Sequence, residues 1–188
     1  VITDFVEKPI EYVSDLAIIG IYYFKSGENL EKELQYLIDN DIKDKGEYQL
    51  TNALENMKNK GLSFTTGEVD EWLDCGNKDA TVYTCERVLD HNKNLNLIDN
   101  DAEILETEII EPCYIGPRVT IQNSIIGPNV SIGSGTKILN SKIEGSIIQE
   151  NTNIDNAKLA KSMIGNNVYY NGKNIPQEVS IGDFCEIK

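Results

Sequence analysis

The sequence has little of what many enzyme sites are built from. It contains one histidine, His91, and one tryptophan, Trp72, in 188 residues. A single histidine removes most histidine-dependent mechanisms from consideration. No apolar run reaches about 18 residues, the length needed to span a membrane. The first residues also carry no basic region followed by an apolar core, so no secretory signal or membrane association is expected.

Cysteines are few and scattered. Cys75, Cys85, Cys113 and Cys185 form no CxxC pair, and no histidine lies at ligand spacing from any of them. A structural zinc site is therefore not expected. Reduced thiols in a cytoplasmic protein are the simplest interpretation.

Positive charge is also scarce, with 17 basic against 31 acidic residues and a net charge of −14. Such a chain repels the phosphates of nucleic acids, which argues against a nucleic-acid partner. We interpret the acidity as a contribution to solubility.

What the second half does have is an aliphatic residue at every fifth or sixth position. The positions are Ile115, Ile121, Ile126, Ile132, Ile138, Ile143, Ile148, Ile154, Leu159 and Ile164. Neither a helix nor a flat strand has this period. A three-sided coil with one inward aliphatic residue on each side does, as in hexapeptide β-helix repeats.

The coil length follows from one subset of these residues, which recurs at intervals of 17, 17, 16, 16 and 17: Ile98, Ile115, Ile132, Ile148, Ile164 and Ile181. Each is expected to stack on its equivalent in the next coil. A β-sandwich would need longer alternating runs and hairpin turns, so it is the weaker alternative. The segment resembles the left-handed hexapeptide β-helix, and the expected hand comes from that resemblance alone. Residues 169–176 are expected to bulge from the coil.

The first half alternates between predicted strands and amphipathic helices, which indicates an α/β layer. Residues 16–24 form an apolar run typical of a strand buried on both faces. Two helices are predicted from apolar stripes, the second ending at Gly61, and a third begins after Asn77 as N-cap. Residues 62–66 and 68–72 are predicted short strands. We place the domain boundary between residues 92 and 93.

Four short motifs occur in a fixed order in this half: Glu7-Lys8-Pro9, then 17–22 (AIIGIY), 45–52 (KGEYQLTN) and 72–77 (WLDCGN). Together with the hexapeptide repeats they resemble the second half of a sugar nucleotidyltransferase of the glucose-1-phosphate thymidylyltransferase-like kind. The resemblance implies a partial, Rossmann-like α/β nucleotidyltransferase domain over 1–92, followed by a left-handed parallel β-helix over 93–188. The implied reaction joins a nucleoside triphosphate to a sugar 1-phosphate, giving a nucleotide sugar and pyrophosphate.

The resemblance also implies roles for individual residues. Lys8 contacts the sugar phosphate, and Glu7 accepts hydrogen bonds from sugar hydroxyls. Gly20 allows close approach of the backbone to the sugar, Glu47 helps to shape the sugar pocket, and Asp74 is one of two carboxylates that hold Mg²⁺. Simpler roles stay open: a solvated strand end for Glu7 and Lys8, relief of crowding for Gly20, and helix capping for Asp74.

Two parts of the family's site have no counterpart in residues 1–188. These are the glycine-rich nucleotide loop with its basic residue and the second metal-binding aspartate before the Glu-Lys-Pro motif. The sequence is therefore interpreted as a fragment that is inactive alone.

Two other functions are alternatives. Many left-handed β-helices transfer acyl or acetyl groups, commonly with a histidine in the coil as general base, but His91 precedes the coil here. The coil could instead be a non-catalytic assembly or regulatory module, because its flat faces suit subunit contacts. We expect a homo-oligomer.

Overall fold

The computed structural model describes residues 2–6 and 10–188, which form two compact units, Val1–Trp72 and Leu73–Lys188. No helix among these residues combines the length and the apolar character that crossing a membrane would require.

The first unit contains two α-helices, α1 (Gly27–Asp39) and α2 (Leu50–Asn59), which pack against each other. Leu37 of α1 and Leu54 and Met57 of α2 are almost fully buried. Among the α1 positions of the predicted stripe, Leu34 and Ile38 are 37% and 54% exposed, so that stripe is only partly covered.

An ion pair joins α1 to the residue that follows α2. Glu33 is buried, and its Oε1 lies 2.5 Å from Lys60 Nζ, while its Oε2 has no hydrogen-bond partner in the part of the chain that the structure describes. Gly61 terminates helix α2, as predicted. Gly61 has φ +93°, and its N–H donates to Lys58 O. The N–H of Leu62 donates to Met57 O. This is the paired bonding of a glycine-terminated helix.

The predicted strand at 16–24 is wrong. These residues form no strand in the described chain, and Leu16, Ile21 and Tyr23 are 67%, 76% and 89% exposed. The predicted strands at 62–66 and 68–72 are absent as well. An apolar run becomes a doubly buried strand only when neighbouring strands bond its backbone and helices cover both faces. The described part of this unit supplies neither.

The second unit begins with α3 (Lys78–His91), which packs on the solenoid that follows. Asn77 is the N-cap, as predicted, because its Oδ1 accepts the N–H of Ala80 at 3.0 Å. Val82 and Leu89 are buried, and Cys85 is partly buried. The compact unit therefore starts at Leu73, and the boundary proposed at 92/93 stays a prediction.

The solenoid consists of sixteen short strands within the described residues. In chain order, β1 to β16, they are Glu103–Leu105, Glu108–Ile109, Cys113–Ile115, Thr120–Gln122, Ile125–Ile126, Val130–Ile132, Lys137–Leu139, Lys142–Glu144, Ser146–Ile148, Asn153–Asp155, Lys158–Ala160, Met163–Ile164, Tyr169–Asn171, Pro176–Gln177, Ser180–Ile181 and Glu186–Ile187. Every third strand pairs in parallel, which gives three sheets: β1-β4-β7-β10-β13-β16, β2-β5-β8-β11-β14 and β3-β6-β9-β12-β15. The predicted β-solenoid is confirmed, and its left-handed sense stays a prediction.

The registers confirm the predicted aliphatic columns. In the third sheet Ile115, Ile132, Ile148 and Ile164 stack in successive coils, and Ile98 forms a parallel bridge with Ile115. The first sheet stacks Ile104, Ile121, Ile138, Ile154 and Tyr170, and the second stacks Ile109, Ile126, Ile143 and Leu159. The central members are 0–2% exposed, so the interior is a continuous apolar core.

The bulge predicted at 169–176 is largely wrong. Residues 169–171 form β13 and Tyr170 occupies an interior position with 2% exposure. Only the corner between β13 and β14 is enlarged, at 172–175, because Leu159 pairs with Gln177 eighteen positions later. Tyr170 fits because it continues the Ile154 column, and its hydroxyl donates to Gln177.

Buried hydroxyl groups bond successive coils at the corners. Ser141 Oγ donates to Leu139 O of its own coil and accepts the N–H of Ala157 in the next coil at 3.1 Å. Equivalent inter-coil bonds run from Ser141 to Ser124, from Thr152 to Thr136, from Val168 to Thr152, from Ser162 to Ser146 and from Val179 to Ser162. They satisfy backbone N–H groups that leave the sheets at the turns.

Removing one such hydroxyl should destabilise the solenoid. Ser141→Ala leaves the Ala157 N–H without its acceptor in a buried corner, whereas Leu139 O keeps the N–H of Asn156. The free energy of unfolding should therefore fall by about 1–3 kcal/mol. Urea denaturation followed by circular dichroism measures it. Ser180→Ala, on an exposed side chain of β15, is the control and should change stability by less than about 0.5 kcal/mol. Equal effects of the two variants would contradict the corner assignment.

A substitution in the exposed apolar run at 16–24 should, in contrast, leave stability unchanged. Ile21→Lys removes no buried contact, so folding should be unaffected while self-association through the run decreases. Sedimentation velocity over a concentration series measures this. Ile143→Lys places a charge in the solenoid core and should unfold it. If Ile21→Lys unfolds the chain as Ile143→Lys does, residues 16–24 are buried in solution.

Candidate functional site

The first two candidate residues, Glu7 and Lys8, lie outside the described residues. The segment just before them is held to the end of α2 and the loop that follows. Ile2 N–H donates to Phe64 O at 3.1 Å, and the ring of Phe5 meets that of Phe64 edge-on at 5.0 Å. Lys58 Nζ donates to Thr3 O at 2.6 Å. Residues 2–6 are thus tied to the first unit by backbone, aromatic and charged contacts.

Gly20 adopts a backbone conformation that favours glycine. Its φ is +80°, a conformation that side chains disfavour. Among the described residues, apart from its chain neighbours, no atom lies within 4 Å of the place that a Cβ would occupy. The space beside its backbone is open. Any other residue here would be strained whatever the space.

Glu47 is presented by a tight hairpin. Asp44 and Glu47 exchange both backbone hydrogen bonds, at 2.9 and 3.0 Å, and the two residues between them, Lys45 and Gly46, have φ +50° and +86°. Two positive φ angles are typical of the two-residue turn that matches strand twist. The exposed Glu47 carboxylate accepts a hydrogen bond from Gln49 Nε2 at 3.4 Å.

A polar network that the sequence analysis missed braces this hairpin. Tyr48 OH donates to Asp41 Oδ1 at 2.7 Å, Lys43 Nζ lies 2.5 Å from the same oxygen, and Lys43 also lies over the Tyr48 ring. The hydrogen bond from Lys43 lowers the pKa of Asp41, and the hydrogen bond to Asp41 raises the pKa of Tyr48. The three residues are dispersed over positions 41–48, so no sequence pattern signals them.

Asp74 belongs to the second unit, just before α3. Its Oδ1 accepts the N–H of Gly76 at 3.2 Å, and its backbone carbonyl accepts the hydroxyl of Thr84 at 2.6 Å. Because Asn77 is the N-cap, the side chain of Asp74 braces the turn before the helix instead of capping it. The carboxylate is exposed and remains accessible to a cation.

The fit to a metal ion is partial. An exposed carboxylate such as that of Asp74 suits Mg²⁺, which prefers oxygen ligands. Across residues 2–6 and 10–188, however, no group of three or more His, Cys, Asp or Glu side chains is placed to hold a metal ion. Asp74 can therefore supply only part of a coordination sphere.

Two thiols of the second unit are shielded. Burial raises the pKa of Cys85 to about 11, and burial also raises the pKa of Cys113. Cys113 Sγ donates to Ile110 O at 3.2 Å. Cys75 and Cys185 are exposed, and all four cysteines are free thiols.

Residues 1–90 match the family model described as nucleotidyl transferase. This segment is part of a nucleotidyl transferase domain. The matched residues include every candidate site position and extend through most of α3. The recognition from ordered motifs is therefore confirmed at the level of the family.

Curated relatives align over most of the chain, including the solenoid. The bifunctional protein GlmU of Clostridioides difficile is 29% identical over 184 residues, covering 90% of this chain and 39% of the relative. Glucose-1-phosphate thymidylyltransferase of Streptomyces griseus is 24% identical, with coverages of 86% and 49%. Glucose-1-phosphate adenylyltransferase of Acetivibrio thermocellus is 28% identical, with coverages of 95% and 46%. The chain spans less than half the length of these relatives.

Thiol labelling tests the packing of α3 on the solenoid. With a pKa of about 11, Cys85 is about one thousandth thiolate at pH 8, so maleimide should modify Cys75 and Cys185 first. Raising the pH toward 11 should expose the reactivity of Cys85. An unfolded thiol ionises near pH 8.5, so protonated Cys85 stabilises the folded form below that pH, and this contribution disappears as pH rises through about 11.

Mass spectrometry of peptides after timed labelling gives the labelling rate of each of the four cysteines. The urea-unfolded chain is the control, in which the rates should become similar. Labelling of Cys85 as fast as Cys75 in the folded chain would mean that α3 does not cover it.

Proposed function

We propose that this chain is part of a sugar nucleotidyltransferase that transfers a nucleotidyl group from a nucleoside triphosphate to a sugar 1-phosphate. The observation that carries the proposal is the joint match: residues 1–90 fit the nucleotidyl transferase family, and 86–95% of the chain aligns with relatives that include two glucose-1-phosphate nucleotidyltransferases. The alignment crosses from the first half into the coil, so it involves more than a generic repeat.

In this proposal the first half binds the sugar phosphate. Lys8 offsets the charge of the sugar phosphate, and Glu7 accepts hydrogen bonds from sugar hydroxyls. The open space at Gly20 supports an approach of the sugar to the backbone. The braced hairpin supports a fixed position for the Glu47 carboxylate, which orients a hydroxyl at little entropic cost.

Asp74 supplies one oxygen ligand to Mg²⁺ in the proposed enzyme. The ion would offset the repulsion between two polyanionic substrates. The side chain is exposed and its turn is fixed by Gly76 and Thr84, which supports a defined carboxylate direction. The other ligands must come from elsewhere, because the described residues provide no cluster of three.

The solenoid is proposed as an assembly module of a cytoplasmic homo-oligomer. Its interior is filled by aliphatic side chains and leaves the flat sheet faces for subunit contacts. Acyl transfer is the weaker alternative because the coil contains no histidine; His91 ends α3, with Arg87 3.3 Å from its Nε2.

Residues 1–188 alone should show no transferase activity. The glycine-rich nucleotide loop and the second metal-binding aspartate have no counterpart in this segment, so the triphosphate cannot be held in line for attack. Pyrophosphate release is measured with magnesium, each of several nucleoside triphosphates and several sugar 1-phosphates. The thymidylyltransferase of Streptomyces griseus serves as the positive control. Clear turnover by the 188-residue chain would refute this expectation.

The transferase activity proposed for the longer protein is tested separately, through the DNA upstream of the Val1 codon. We expect the open reading frame to continue upstream and to encode a glycine-rich loop with a basic residue and a further aspartate. An expressed chain including that region should release pyrophosphate, and Asp74→Asn should lower its kcat by about 100-fold or more. An upstream frame without such a loop would remove the basis of the proposal.

A further inference from the structure

The first residue of α3 is electrostatically unfavourable for the helix itself. Lys78 begins α3, and the N-terminus of a helix carries a partial positive charge that disfavours a cation. Asp79 offsets this locally, since its Oδ1 lies 2.6 Å from Lys78 Nζ. A neutral or acidic residue at position 78 would suit the helix better. The contacts that favour a lysine lie outside the helix.

These contacts are made with two successive coils of the solenoid. Lys78 Nζ donates to Lys161 O, between β11 and β12, at 3.0 Å, and to the carboxylate of Glu178, between β14 and β15. Together with Asp79 these acceptors match the three N–H groups of the ammonium. The side chain is only 22% exposed. Lys78 thus holds the start of α3 on one corner of the solenoid.

The turn before α3 is held on the side of the helix. Asp74 O accepts the hydroxyl of Thr84 at 2.6 Å, and Cys75 O accepts the hydroxyl of Thr81 at 3.3 Å. The turn therefore runs alongside α3. Within it, the N–H of Gly76 donates to Asp74 Oδ1 at 3.2 Å. The direction of the Asp74 carboxylate consequently depends on where the first turns of α3 lie.

The other contacts of α3 with the solenoid are apolar. The helix packs against β6 and β9, and Val82 and Leu89 are buried. Apolar burial is non-directional, so it holds the helix on the sheet without defining its exact position. Hydrogen bonds from a charged group are directional and add geometric specificity. Those of Lys78 therefore define the position of the first turn.

We propose that Lys78 is a positioning residue, which sets the direction of the Asp74 carboxylate toward Mg²⁺ by holding the first turn of α3 on the solenoid. The inference rests on the proposed function, in which Asp74 is a metal ligand. Groups that orient a metal ligand without touching the metal typically change metal affinity or activity by about 10–100-fold when they are replaced. The solenoid thereby takes part in the transferase site, in addition to its proposed role in assembly.

The first test uses the 188-residue chain. The amide of Gly76 reports the direction of the Asp74 carboxylate because the two are hydrogen-bonded. Lys78→Met removes the ammonium and keeps an unbranched side chain, so NMR should show that this amide exchanges with deuterium about fivefold faster. Lys78→Arg keeps a cation of similar length and should retain slow exchange. Lys142→Met, on an exposed lysine of β8, is the matched control and should behave as the parent chain does.

The second test uses the longer protein expected from the upstream reading frame. Lys78→Met should raise the Mg²⁺ concentration for half-maximal pyrophosphate release by about tenfold. The kcat at saturating Mg²⁺ should change much less, and Lys78→Arg should restore most of the metal affinity. A merely structural role predicts less folded protein or a lower kcat at an unchanged Mg²⁺ requirement. That result would overturn the proposal.

The two tests separate this inference from the proposed function. If no form of the longer protein releases pyrophosphate, the proposed function fails, and with it the role of Lys78 toward Mg²⁺. The exchange of the Gly76 amide still decides whether Lys78 holds the turn that carries Asp74. Unchanged exchange in Lys78→Met overturns the positioning role, whatever the activity of the longer protein.

Discussion

The solenoid depends on satisfying backbone polar groups at turns that are sealed against water. Each coil leaves a sheet three times, and each departure would orphan an N–H group beside an aliphatic core. A hydroxyl oxygen at the corner accepts this N–H group from the next coil, as at Ser124, Ser141 and Thr152. With the corners bonded, the isoleucine columns can stack without strain, and each coil needs only its two neighbours.

The same constraint explains where glycine is required. A Cβ at Gly127 would lie 1.9 Å from Ile110 O, and a Cβ at Gly133 would lie 2.8 Å from the backbone of Gln149. Both glycines follow an interior isoleucine, Ile126 or Ile132, at a place where two coils are in close backbone contact.

Prediction from sequence succeeded where the interactions are local and repeated. The isoleucine spacing determines which residues stack because each coil repeats the same environment, and Asn77 and Gly61 act through bonds to their own helices. The strand prediction for residues 16–24 failed because the conformation of such a run depends on partner strands distant in the chain. Tyr169 and Tyr170 were misassigned because an aromatic residue can replace isoleucine in a column. The site could be recognised only as ordered motifs, since the Asp41–Lys43–Tyr48 network has no periodic signal and the roles of Lys8, Gly20 and Asp74 depend on bound substrates.

The central claim is that stability resides in the bonded coils, whereas the first half of the chain is a partial domain. Amide hydrogen exchange followed by mass spectrometry tests it most directly, because exchange rates report local opening free energies. The account predicts slow exchange throughout 115–170 and fast exchange in 15–24, with 25–90 between them. Faster opening in the coils than in 15–90 would contradict it.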